Sequence, residues 1–210
     1  MEKLSENLWI FKEPIEIKVI TSYEAKIKIS KQNIEKIEEK LKQLGFQKEE
    51  ERLEKDIIVS SPKGGDIFKL KEAENNKSRI LEVFTKNINE KAKHTAIILI
   101  PEEEKEKSVF EWVIKKFWGT LEREKPTDVV ITKIEKRRIS FKGEGMSVSV
   151  DLDVIKKRDC QSIYLGSFIE ITTYKEGDLN FLLQQFKDFG EITFTHYYEM
   201  ENNFSQNIRD

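Results

Sequence analysis

The chain has 210 residues, 36% of them charged and 38% hydrophobic, and a formal net charge of −2 from 37 basic and 39 acidic side chains. That length suits one domain with a buried core, and the recurrence of Ile, Leu, Val and Phe excludes a disordered chain. The charge balance argues against nucleic acid as a partner, and the single cysteine, Cys160, excludes an internal disulfide or a cysteine-based zinc site.

Met1 to Glu6 lacks the pattern of a signal peptide, and no run approaches the roughly 18 apolar residues of a membrane span. With one cysteine, these features lead to the expectation of a cytoplasmic protein with no membrane partner.

In chain order, residues 1–20 read as an N-terminal extension, with Trp9-Ile10-Phe11 as an apolar anchor and a short alternating run at 15–19. A strand is predicted at 23–29. Ser30 then caps a helix that carries Ile34, Ile37, Leu41 and Leu44 at helical spacing and stops at Gly45. Alternating runs at 56–59, 67–71, 79–86 and 95–100 predict four strands, separated by turns at Pro62-Lys63-Gly64-Gly65 and Asn75-Asn76. Gly64-Gly65 is a turn and not a phosphate loop, since no helix with Lys-Ser/Thr follows.

A second helix is predicted after Pro101, with Trp112 and Trp118 as packing groups, and Pro126 opens a linker. Strands follow at about 128–141, 146–154 and 166–174, with Cys160 in a polar loop. A third helix carries Leu179, Leu182, Leu183, Phe186 and Phe189 and ends at Gly190. Residues 21–201 thus read as a single domain and 202–210 as a frayed tail. Consecutive strands without intervening helices disfavour a parallel sheet and point to an antiparallel one with helices packed outside.

Several strands are charged on one face. Glu24, Lys26 and Lys28 alternate with Ala25, Ile27 and Ile29, so the charges share a side. Such a face meets either bulk water or a wet cavity. Taken singly, Glu24-Lys26-Lys28 and Lys136-Arg137-Arg138 read by default as solvated surface, and Asp151 and Asp153 as hairpin residues. His94 and His196 have no partner at ligand spacing, which argues against a metal role for either.

Taken in order, the segments resemble the CYTH, or triphosphate tunnel metalloenzyme, family over roughly residues 22–200. Lys136-Arg137-Arg138-Ile139-Ser140-Phe141 is similar to its basic strand and Val150-Asp151-Leu152-Asp153-Val154 to its acidic strand. Leu165-Gly166-Ser167-Phe168-Ile169-Glu170 is similar to its Leu-Gly-x-Phe-x-Glu segment, and Tyr197-Tyr198 to its closing stretch. Phe68-Lys69-Leu70-Lys71 and Phe84-Thr85-Lys86 sit at basic positions of the first half. The resemblance departs where Glu-x-Glu-x-Lys becomes Glu24-Ala25-Lys26-Ile27-Lys28, where His94 to Ile98 carries no carboxylate, and where Thr172 replaces the last Glu.

The resemblance implies an α+β fold built on an antiparallel eight-stranded closed or nearly closed β-barrel, a tunnel with helices outside. It implies a phosphohydrolase acting on a triphosphate-containing small molecule: inorganic, nucleoside or thiamine triphosphate. Lys26, Lys28, Lys69, Lys71, Lys86, Lys136 and Arg138 are its candidate substrate-binding residues. Glu24, Asp153 and Glu170 are the candidate ligands of Mg²⁺ or Mn²⁺ at a weakened site. The alternatives are a polyanion- or nucleotide-binding module that has lost catalysis, a structural role with the cavity filled by mutual salt bridges, and a class IV-type adenylate cyclase. The partners expected are a triphosphate or nucleotide ligand and, as a candidate, a second copy of the chain.

Overall fold

The computed structural model describes residues 2–5, 8–10, 17–60, 66–73, 79–85, 92–100, 130–144, 146–158 and 160–200, with only the backbone described over 2–19, over 66–100 (Lys69 excepted) and at Val59 and Ile131. Its elements follow the alternation of apolar and charged residues closely. Strands β1 (Glu2–Ser5) and β2 (Leu8–Ile10) form a small antiparallel pair. The main sheet begins with β3 (Ile17–Ile29). The Ser30 hydroxyl accepts from Gln32 N at 3.4 Å and starts a 3-10 turn over Lys31–Asn33, which runs into helix α1 (Ile34–Gln43). At its end Phe46 N donates to Leu41 O and Gly45 N to Lys42 O, both at 3.0 Å, with Gly45 at φ +84°. Those crossed bonds satisfy the last carbonyls and turn Phe46 into the core.

Strands β4 (Gln47–Ser60), β5 (Asp66–Ala73), β6 (Arg79–Thr85) and β7 (Ala92–Ile100) follow. The second half contributes β8 (Val130–Gly143), β9 (Met146–Arg158) and β10 (Gln161–Thr173), joined as long hairpins. Helix α2 (Glu176–Phe186) opens with Glu176 and Asp178, which suit the positive end of its dipole, and it leads to the short strand β11 (Gly190–Thr193).

Every pairing is antiparallel, in the order β10-β9-β8-β4-β5-β6-β7-β3-β11, and β10 also pairs with β3 from Ser167 to Thr173. The pairings of β3 to β10 therefore run in a circuit. One face of the sheet is apolar: Ala25, Ile27, Ile139, Phe141, Val148, Val150, Leu152, Ile169 and Ile171 are buried there. Against it pack Ile37 and Leu41 of α1 and Leu179, Leu182, Leu183 and Phe186 of α2. Burial of side chains of this size contributes about 1.5–3 kcal/mol each, and the charged residues lie on the opposite face of the sheet. Among the described residues, no helix is long and apolar enough to cross a membrane.

The structure corrects several boundaries. Strand β9 runs on to Arg158 and β10 starts at Gln161, so most of the polar loop read around Cys160 is strand. The runs at 15–19 and 23–29 are one strand, β3, because its halves have different neighbours: 17–23 pairs with β7, and 26–29 with β11. Strand β4 starts at Gln47, well before Asp56. Its charged first half has low strand propensity, yet it is held by continuous pairing with β8. The predicted second helix with Trp112 and Trp118, the linker at Pro126, the turns at 62–65 and 75–76 and the tail at 202–210 lie outside the described residues.

At Gly190, a Cβ atom would lie 1.6 Å from the carbonyl oxygen of Lys28. Gly190→Ala must push β11 away from β3. The expected cost is about 1–3 kcal/mol in chemical denaturation, and a cost below about 0.5 kcal/mol would contradict this packing.

Candidate functional site

The charged face of the sheet borders a cavity of about 310 Å³ whose lining is mostly polar. Alternation brings Ser22, Glu24 and Lys26 to it from β3, Arg52 and Asp56 from β4, and Lys69 from β5. Strand β8 contributes Ile134, Lys136, Arg138 and Ser140, β9 contributes Ser147 and Ser149, and β10 contributes Glu170 and Thr172. Tyr197 enters from the chain that follows β11.

The centre of the cavity is a knot of buried charges. Arg138 grips Asp151 in a fork, Nε to Oδ1 and Nη2 to Oδ2 at 2.7 Å each, and Nη2 also donates to Glu170 Oε1 at 2.7 Å. Glu170 Oε2 lies 3.5 Å from Lys26 Nζ. Lys136 Nζ donates to Asp56 Oδ2 at 2.9 Å and lies 3.3 Å from Glu54 Oε1, while Lys69 Nζ is 3.5 Å from Asp56 Oδ2. Arg52 Nη2 reaches Glu54 Oε2 at 3.2 Å. Tyr197 completes the knot. Its hydroxyl donates to Asp151 Oδ2 at 2.9 Å, and its ring centroid lies 5.0 Å from Lys26 Nζ and 5.4 Å from Lys136 Nζ.

Charge pairing in this knot outweighs desolvation. Burial alone would raise the carboxyl of Glu170, but Arg138, then Lys26, Lys136 and Lys69, hold it well below the ordinary carboxylate value. Burial and the neighbouring Arg138 would lower Lys136, yet Asp56, Glu54 and Asp151 raise it. Arg138 is raised well above its ordinary value against its own burial, by Asp151, Glu170 and Glu54. Burial first, then the charge of Asp151, pushes the Tyr197 phenol up, so it stays a donor.

The expected site residues divide. Lys26, Lys69, Lys136, Arg138, Glu24 and Glu170 all line the cavity. Lys28 does not: it lies opposite Phe168 in the pairing register, beyond the charged zone, and is exposed. Lys71 lies opposite Asp56 in the β4–β5 register, but its side chain is outside the described residues, as is all of Lys86.

Asp153 is also outside the cavity. Strict alternation would place it beside Asp151, but a bulge intervenes: Glu135 to Arg137 on β8 faces Ile155 to Leu152 on β9, and Asp153 takes φ 52°. Asp153 instead pairs with Lys31 and accepts from Tyr164 at 3.4 Å near the surface. Arg52 and Tyr197 line the cavity and Asp151 and Glu54 pair with its cations, yet none of the four was assigned to the site, although Asp151 and Tyr197 lie in matched segments. For Glu54 and Arg52 the signal was the parity they share with Asp56, and it was hidden because β4 was read as starting at 56.

The donors expected for Mg²⁺ or Mn²⁺ do not meet. Glu24 and Glu170 are near one another across β3 and β10, Asp153 is elsewhere, and no group of three acidic, His or Cys side chains among the described residues can hold a metal. Glu170, Asp151 and Glu54 are each engaged by a guanidinium. The expected three-carboxylate metal centre therefore does not fit this cavity.

No protein-family model matches the sequence, and no curated protein matches it. Solved structures do match. A conserved hypothetical protein from Pyrococcus furiosus shares 15% identity at a TM-score of 0.59, over 86% of this chain and 99% of that one. A protein from Pyrococcus horikoshii OT3 shares 13% at 0.54, over 81% and 94%. A provisionally assigned adenylate cyclase from Bacillus halodurans shares 10% at 0.52, over 91% and 99%. At these identities the likeness is one of fold. The chain shares the fold of these structures, which is consistent with the CYTH-type fold that the order of its motifs resembles.

Arg138→Met would leave Asp151 and Glu170 buried without their main cation. The expected loss is about 3–5 kcal/mol at pH 7 by chemical denaturation. Because the folded-state value of Glu170 is lowered, its contribution is complete above the ordinary carboxylate value near pH 4.3 and is lost as pH falls through its folded value. The deficit of the variant should therefore hold from neutral pH down to about pH 4.3 and shrink only as pH falls below that. A deficit below about 1 kcal/mol at pH 7, or one that grows in acid, would contradict the knot.

Proposed function

We propose that this is a CYTH-type protein whose strand circuit encloses the cavity as a barrel, and that it takes in the phosphate chain of a triphosphate-containing small molecule as a binding module. The observation that carries this reading is the convergence of Lys26, Arg52, Lys69, Lys136 and Arg138 from four strands on one cavity. Guanidinium and ammonium groups held in place by neighbouring carboxylates are donors already aimed for phosphate oxygens, and the guanidinium can take two at once. The cavity volume is at the small end for ligand sites. It suits a bare phosphate chain, with any organic group left towards the mouth.

The cations are balanced in the described structure by Glu54, Asp56, Asp151 and Glu170. A phosphate chain must therefore exchange with carboxylates for the same donors. The metal-assisted hydrolytic reading asks those carboxylates to hold a cation, and the donor set argues against it. Binding without turnover is the reading supported by Arg138 and Lys26 being committed to Glu170.

Calorimetry with linear tripolyphosphate should show saturable binding, and Lys136→Met should weaken it at least about tenfold, the scale of one charge-assisted bond. Phosphate release from tripolyphosphate, ATP and thiamine triphosphate with Mg²⁺ and then Mn²⁺ should stay at background. No binding would overturn the proposal, and release would restore the phosphohydrolase reading.

A further inference from the structure

The four carboxylates of the knot are not equivalent. The side chains of Asp151 and Glu54 are 0% exposed and that of Asp56 is 2% exposed, whereas Glu170 is 16% exposed. Asp151 accepts two bonds from Arg138 and one from Tyr197. Glu54 lies between Arg52, Lys136 and Arg138. Glu170 borders the cavity and bridges two cations from two other strands. Arg138 Nη2 donates to its Oε1 at 2.7 Å, and Lys26 Nζ lies 3.5 Å from its Oε2.

Glu170 also has somewhere to go. The β9–β10 register shifts on both sides of Gly166 and is regular from Phe168 onward, which sets Glu170 opposite Ser149 on β9 and Lys26 on β3. Two residues further on, Thr172 lies between Ser147 on β9 and Glu24 on β3. The lining becomes wetter in that direction: Ser149 is buried and Ser147 exposed, while Thr172 is half-buried and Tyr174 exposed. A carboxylate turned towards β9, away from Glu24, meets hydroxyls and water.

We infer that Glu170 is a built-in stand-in for the ligand: its carboxylate occupies the place of two phosphate oxygens and must leave before Arg138 and Lys26 can grip a phosphate group together. This deepens, and rests on, the reading of the cavity as a phosphate site. A carboxylate and a phosphate present the same pair of anionic oxygens to these donors. When Glu170 leaves, Arg138 is still fixed by Asp151 and Glu54, and Lys26 still lies over the Tyr197 ring. The vacated donors therefore keep their aim, and the ligand enters a site that is already organised. The sign of the effect follows. A residue that holds the ligand, or a metal bound to it, weakens binding when its charge is removed. A competitor for the same donors strengthens it.

Calorimetry with linear tripolyphosphate at pH 7, in buffer free of divalent metal, tests this on the wild type and three variants. Glu170→Gln should bind at least about tenfold more tightly than the wild type, the scale of one charge-assisted bond. Glu170→Asp keeps the charge but draws it back from Arg138 by one methylene, and it should bind at least about threefold more tightly. Glu39→Gln makes the same charge change on the exposed side of α1 and should stay within about twofold. Unchanged or weakened affinity in Glu170→Gln overturns the stand-in and leaves the phosphate site standing. Should that variant not fold, the same result in Glu170→Asp does so. A gain in Glu39→Gln as large as that in Glu170→Gln also overturns it, since net charge alone would then explain the effect. Failure of the wild type and both Glu170 variants to bind tripolyphosphate removes both readings.

Discussion

The guanidinium of Arg138 is the constraint on which the rest of the interior depends. It is buried with Asp151 and Glu170 from two other strands, and it holds both at 2.7 Å. Each partner would be costly to bury alone, whereas together they fix the relative position of β8, β9 and β10. Lys26 and Lys136 extend the same pattern to β3 and β4. The outer face of the sheet supplies the hydrophobic stabilisation, and the inner face spends part of it on keeping charges dry and oriented. A lining of that cost suits a protein that uses its cavity.

The two bulges near Asp153 and Gly166 set the character of that cavity as strongly as the charges do. Without them each strand would continue one parity from end to end. With them, Val154 and Leu165 join Phe168 and Tyr197 in an apolar cluster. The polar and apolar halves of the interior therefore arise on the same strands, a few residues apart. The closing segment is held by groups of both kinds: a hydroxyl on Asp151, an ammonium on the carbonyl of Met200, and a ring against Phe168.

Much of this was legible in the sequence. The outer helices could be placed because Ile37, Leu41, Leu179, Leu182 and Phe186 recur at helical spacing, and Gly45 ends the first helix as its type suggests. Lys26, Lys136, Arg138 and Glu170 could be assigned to one interior from strand alternation and motif order. The remainder was hidden for physical reasons. A one-residue bulge reverses every later side chain, so Asp153 was taken for a cavity residue, while Asp151, of the same parity before the bulge, was read as a hairpin residue. Strand β4 is too charged in its first half to look like a strand, so Arg52 and Glu54 were lost with it. Tyr197 carries a role that only its tertiary position reveals.

The most direct test of the account is nitrogen-15 NMR of the Arg138 side chain. A guanidinium locked between Asp151 and Glu170 predicts an Nε–H signal protected from exchange at neutral pH, and a phosphate chain that takes over its donors predicts a shift of that signal as tripolyphosphate is added. A signal exchanging with water as fast as that of a surface arginine, or one unmoved at saturating tripolyphosphate, would contradict the account.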